Sequence, residues 1–218
     1  MNSPMIQLLV LAGIAIFLIL RLKNVLGTRD GFEKPPLPNP GTKRAGPDLS
    51  VIDGGPDFDI VDHVDKDSPT AEALAQMKKI EPGFSVTEFI GGARGAYEMI
   101  VMGFERGDLD GIRPFLAEDV FDAFVDVVAA REDQGLTVEA EFIGIRETRI
   151  EAVDFDTETN RAEVTMRFVG ELTSVVRDKA GDIVEGSATS ARRQKDSWTF
   201  ARTMGSDDPN WLLVATDA

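Results

Sequence analysis

The first twenty residues, Met1 to Leu20, carry no charged side chain and are mostly aliphatic, and the first charges to follow are Arg21 and Lys23. As a helix rising about 1.5 Å per residue, a run of this length reaches roughly 30 Å, the thickness of a bilayer's hydrocarbon core. Residues 1–22 are therefore expected to form a transmembrane anchor built from Ile6, Leu8, Leu9, Val10, Leu11, Ile14, Ile16, Phe17, Leu18, Ile19 and Leu20. A cleaved secretory signal is the competing reading. It fails on charge order, because no Lys or Arg precedes the apolar run while Arg21, Lys23, Arg29 and Lys34 follow it. Arg21 and Lys23 then make a basic collar at the headgroups. The positive-inside rule places the N-terminus outside and the remainder on the cytoplasmic side of an inner membrane, with the lipid bilayer as partner of the anchor.

The rest of the chain cannot rely on sulfur chemistry. With no cysteine among 218 residues it forms no disulfide and offers no thiolate nucleophile or cysteine-ligated metal. A formal net charge of -15 argues against a nucleic-acid partner, which needs clustered Lys and Arg to displace counterions from phosphates. No sequence signal calls for a cofactor.

From residue 23 to about residue 70 no apolar pattern is sustained. Pro35-Pro36, Pro38, Pro40, Gly41 and Gly54-Gly55-Pro56 punctuate the segment, and Asp53, Asp57, Asp59, Asp62, Asp65 and Asp67 face only Lys66. The composition is that of an acidic, solvated tether. A calcium loop is excluded by spacing, because Val61 stands where a third oxygen ligand belongs and Asp62 where glycine is needed. His63, the chain's single histidine, lies here without a partner at metal-site spacing, so no metal site is expected.

Residues 71–218 suffice for one domain with its own core. Helical patterns come first: Ala71 to Met77, then a run opened by the capping-box sequence Ser85-Val86-Thr87-Glu88, in which Phe89, Ala93, Ala96, Tyr97, Ile100 and Phe104 share a face. Gly107-Asp108 ends that run. A shorter helix over Leu109 to Leu116 and a third marked by Val120, Phe121, Phe124, Val127 and Val128 follow, closing near Gly135. The period then changes to two. Strands are expected at Thr137 to Ile145, Arg149 to Phe155, Arg161 to Leu172, from Ile183 through Thr203, and Trp211 to Thr216. Helices first and strands after, joined by hairpin-length links, define an α+β domain with helices packed on one face of a curved antiparallel sheet.

Several of these segments together resemble a known family. In order they are Gly92-Ala93-Arg94-Gly95-Ala96-Tyr97, Phe104, Gly107-Asp108, Arg113-Pro114-Phe115-Leu116, Phe121 to Phe124, and Asp208-Pro209-Asn210-Trp211-Leu212-Leu213. This pattern is similar to that of the Tim-forty-four-like family, whose best-known member is a peripheral inner-membrane subunit of the mitochondrial presequence translocase. The resemblance implies a cone-like α+β fold of the nuclear-transport-factor-two type, and binding near a membrane rather than catalysis. The mitochondrial members' chaperone-engaging N-terminal region does not carry over, because an anchor and acidic tether stand in its place.

The fold type also hosts isomerases, which need an acid or base inside a dry pocket. Here the domain has no histidine, and Glu163 and Glu171 are expected on the outer sheet face. No phosphate loop is present either, since Gly91-Gly92-Ala93-Arg94-Gly95 lacks the following Lys-Ser/Thr. Its glycines are read as allowing close helix-to-sheet packing. No catalytic residue is therefore assigned, and Tyr97 is read as a core residue. Phe89, Tyr97, Ile100, Phe104, Phe168, Trp198 and Trp211 are the candidate lining of a pocket between helices and sheet, although the same residues suffice to fill it. The row Arg161, Arg167, Arg192, Arg193 and Lys195 is read as an outward sheet face interleaved with Glu163, Glu171 and Asp196. The expectation is a membrane-anchored adaptor holding a membrane or membrane-proximal protein at the cytoplasmic face, in translocation or membrane-protein assembly. A carrier of lipid or a small hydrophobic ligand is the alternative, and an isomerase-like enzyme the weakest.

Overall fold

The computed structural model describes residues 56–217. The expected anchor, Ile6 to Leu20, and its collar, Arg21 and Lys23, lie outside the described residues. Among those described, no helix is long and apolar enough to cross a membrane.

Among the described residues, five α-helices precede a four-stranded antiparallel sheet of order β1-β2-β3-β4. The helices are α1 (Phe58–Val61), α2 (Pro69–Ile80), α3 (Val86–Arg106), α4 (Leu109–Ile112) and α5 (Glu118–Gln134), with a short 3-10 turn at Arg113–Phe115 between the last two. The helical runs expected from Ala71 onward occur in that order as α2 to α5, the one over Leu109 to Leu116 as α4 and the 3-10 turn, and their ends follow capping chemistry. Ser68 and Ser85 accept N–H groups at the starts of α2 and α3. Gly107 and Gly135 close α3 and α5 in the left-handed conformation, at φ 72° and 69°.

The structure differs from the sequence reading at residues 56–70. The end of the expected tether is folded into the domain: Asp57 caps α1, and Ile60 on that helix is buried in the core. The reason lies in Asp59. Its carboxylate accepts the Ser85 hydroxyl and the N–H groups of Val86 and Thr87, and it meets the Lys78 ammonium at 2.9 Å. Burial opposes its charge, yet Lys78 and the Thr87 and Val86 amides hold its pKa far below the usual carboxylate range. The carboxylate serving the start of α3 thus comes from twenty-seven residues upstream of Val86, rather than from Glu88 of the capping box.

The strands are β1 (Thr137–Asp156), β2 (Arg161–Arg177), β3 (Ile183–Thr203) and β4 (Leu212–Asp217). The two strands expected between Thr137 and Phe155 are one strand, interrupted by register shifts at Phe142/Gly144, Ile145/Glu147 and Ile150/Ala152. Such bulges bend and twist a long strand without ending it. In β2 the alternation holds as expected, with Ala162, Val164, Met166, Phe168 and Leu172 all buried against the helices. Glu171 is on the other face, yet it is nearly covered because Arg146 and Arg193 close over it at 2.6 and 2.9 Å. Those two guanidiniums lower its pKa.

One assignment from the pattern is corrected. Gly91, Gly92 and Gly95 do not mediate close packing, since a Cβ on any of them would meet nothing within 4 Å. The close approach is at Gly170, where a Cβ would lie 2.6 Å from the Tyr97 hydroxyl oxygen.

Candidate functional site

α3 lies across the sheet, and its apolar face reaches the centre of the domain at Tyr97, which is fully buried. The Tyr97 ring stacks on Phe168 with centroids 4.4 Å apart and planes at 16°, and Trp198 packs 4.8 Å away. These three rings make a plug between helix and sheet, so the expected pocket is divided. Phe89 and Trp211 open onto a cleft on one side, and Ile100, Phe104 and Trp198 onto a cleft on the other.

The first cleft has a volume of about 360 Å³ and is chiefly apolar. Phe89, Phe200 and Trp211 form its floor, with Phe89 and Trp211 at 4.7 Å, and Phe115 and Met99 flank it. One wall is the small-residue edge of α3, Gly92, Ala93 and Ala96; in the floor Phe89 and Phe200 are buried and Trp211 is half-buried. Trp211 is fixed from behind. Arg202 lies 5.3 Å from its ring centroid and donates to both oxygens of Glu81, at 2.7 and 2.6 Å. The Arg202 side chain is 7% exposed, and its guanidinium holds the Glu81 carboxyl below its ordinary pKa.

The second cleft, about 340 Å³, mixes charge with apolar walls. Phe104, Phe124 and Trp198 line it beside Glu105, Arg192, Gln194 and Asp196. Glu105 is 8% exposed and accepts from Arg192 and from the Ser174 hydroxyl, each at 3.2 Å. Asp196 is 4% exposed, with Tyr97 donating its hydroxyl to one carboxylate oxygen and the Gln194 amide donating to the other at 3.1 Å. Burial first, and then this bond to Asp196 and its charge, push the Tyr97 pKa far upward. Its hydroxyl therefore stays protonated at neutral pH and acts as a donor.

Arg192 and Asp196 were expected on the outer face, and the structure turns both toward the helices, Asp196 buried and Arg192 with its side chain 51% exposed. The signal was present in the sequence. Trp198 and Phe200 point inward, so counting back by twos gives Asp196, Gln194 and Arg192 on the same face. Grouping Arg192 with its neighbour Arg193 broke that alternation. Of the remaining row, Arg161 pairs with Glu163, Arg167 with Glu151 and Arg193 with Glu171. Among the described residues, no group of His, Cys, Asp and Glu side chains is arranged to hold a metal ion.

A family model described as the Tim44-like domain matches residues 70–218. No curated protein matches the chain in sequence. Among solved structures, the crystal structure of the intermembrane space region of chloroplast protein ARC6 is similar over 59% of this chain and 94% of that chain, with a TM-score of 0.42 and 13% identity. A likeness that distant carries nothing about how this domain works.

Proposed function

The chain belongs to the Tim44-like family, and from that premise we propose that it is an adaptor anchored in an inner membrane by residues 1–22, whose α+β domain holds a protein partner at the cytoplasmic face. The observation that carries the binding part is the first cleft, where the half-buried Trp211 packs on the buried Phe89 beside the small-residue edge of α3. Partly buried aromatic rings at the base of a depression are the usual energetic centre of a protein contact. The uncharged run Met1–Leu20 followed by Arg21 and Lys23 supports the anchor. The Pro- and Gly-rich composition of residues 23–55 supports a tether, whose root-mean-square span for a random chain of that length is about 30 Å. Tethering of this kind raises a partner's local concentration without dictating its orientation.

Binding rather than chemistry is favoured by the state of the interior. The aromatic plug fills the centre, and the Tyr97 hydroxyl is committed to Asp196. A second reading, a lipid or small hydrophobic ligand in the first cleft, draws on its volume, which falls in the range of small-ligand sites. Cross-linking of the full chain in native membranes, followed by mass spectrometry, separates the two. A version starting after Gly27 is the control. A reproducible set of membrane-protein neighbours that disappears with the anchor supports the adaptor. Lipid adducts without protein neighbours support the ligand reading instead.

A further inference from the structure

We infer that the first cleft takes a polyproline-II segment of the partner protein, with a lysine or arginine beside its prolines set against Glu88. The inference rests on the adaptor reading and names the kind of segment that the domain holds. Size restricts the choice first. A volume of about 360 Å³ holds less than one turn of an α-helix, which is about 10–12 Å across with its side chains. Strand addition is closed off as well. Among the described residues the sheet lines this cleft through Phe200, which β3 pairs with Val164 of β2 on one side and Leu213 of β4 on the other. A narrow, extended chain that needs no ladder remains.

A polyproline-II helix has no internal hydrogen bonds, so its carbonyls take outside donors and its pyrrolidine rings pack on flat apolar groups. The cleft offers both. Phe115, Pro209 and Trp211 supply rings along it, and Gly92, where a Cβ would meet nothing within 4 Å, leaves room beside them on α3. The Trp211 indole N–H donates to no group among the described residues, and its nitrogen is not sealed from solvent. Phe89 at 4.7 Å and the Arg202 guanidinium at 5.3 Å hold that ring in place, so a partner has little ordering left to impose. Charge selects the flanking residue. Among the described residues Glu88 is the one charged side chain lining the cleft; it is exposed, and no Lys or Arg pairs with it. The formal net charge of -15 also draws a basic segment toward the chain.

The probe is a fluorescein-labelled, terminally blocked peptide, Lys-Pro-Pro-Val-Pro-Pro-Lys, with a lysine at each end because a polyproline-II chain can lie in either direction. It is titrated in detergent micelles and read by anisotropy, with the full chain and with the chain carrying Pro35→Ala, Pro36→Ala and Pro38→Ala, which removes competition from a stretch of the probe's own composition. The account expects saturable binding that weakens about threefold when norleucine replaces both lysines and is lost when alanine replaces the prolines. Glu88→Gln should bind the lysine and norleucine peptides equally. In a nitrogen–proton correlation spectrum of the tryptophan-labelled chain, the Trp211 indole resonance, identified by its loss in Trp211→Phe, should shift on binding. No saturation at millimolar concentration in either form of the chain, equal binding of the lysine and norleucine peptides to the unsubstituted chain, undiminished binding of the alanine peptide, or an unmoved Trp211 resonance overturns it. Failure here leaves the membrane cross-linking result standing, so the two readings fall separately.

Discussion

Replacing Gly92 should move stability and partner binding in opposite directions. Gly92 is in the interior of α3, is exposed, and would place a Cβ in open space. In a helix interior glycine costs about 0.8–1.0 kcal/mol relative to alanine. With no steric debt to subtract, Gly92→Ala should stabilise the domain by about that amount. For a domain of this size that is a rise of about 2–4 °C in Tm. Arginine has nearly alanine's helix propensity, so Gly92→Arg should gain a similar amount while projecting its side chain over the cleft floor of Phe89 and Trp211. Gly91→Ala is the control, because Gly91 is equally unobstructed but does not line the cleft. Thermal unfolding followed by circular dichroism, with cross-linking in parallel, reads both quantities. The expected result is three stabilised proteins, of which Gly92→Arg alone loses its protein neighbours. A lower Tm for Gly92→Ala would show that the glycine does serve close packing, and the reasoning would fail at its first step.

Three further outcomes follow from the buried polar contacts. Tyr97→Phe keeps the ring stacked on Phe168 but removes a buried donor to Asp196, and should cost about 2 kcal/mol in denaturant unfolding. A cost under about 0.5 kcal/mol would mean that Asp196 finds another donor. Asp59→Asn should cost about 1–2 kcal/mol at neutral pH, from the weakened start of α3 and the lost charge opposite Lys78. Because the folded carboxyl titrates below its unfolded value, its contribution is complete above about pH 4 and fades as pH falls further. Unfolding curves of the parent between pH 5 and pH 2 should therefore lose more stability than those of Asp59→Asn. Glu81→Gln leaves the nearly buried Arg202 without its anion and should cost about 2–3 kcal/mol. It should also shift Trp211 emission, since the guanidinium packed on that ring is no longer held.

The fold was legible because periodicity and caps agreed. Ser85, Gly107 and Gly135 mark real helix ends, and the inward positions of β2 are the ones its alternation names. The long strand β1 was read as two because bulges at three places interrupt a two-residue period, which a pattern search takes for strand ends. Residues 56–70 were assigned to the tether on composition. Composition cannot reveal that Asp59 has a long-range partner set at Lys78 and the start of α3. The clefts were legible only as a list of aromatic residues. Which of those rings fill the interior and which border open space depends on side-chain packing, and Gly170 admits Tyr97 to the centre where a larger residue would exclude it.

The most direct test of the adaptor reading is photo-cross-linking from position 99. Met99 is 36% exposed and borders the first cleft, so p-benzoylphenylalanine there samples whatever occupies it. In native membranes the account predicts one or a few discrete protein adducts that vanish in Gly92→Arg and in the version starting after Gly27. Adducts with lipid alone, or protein adducts indifferent to both changes, would contradict it.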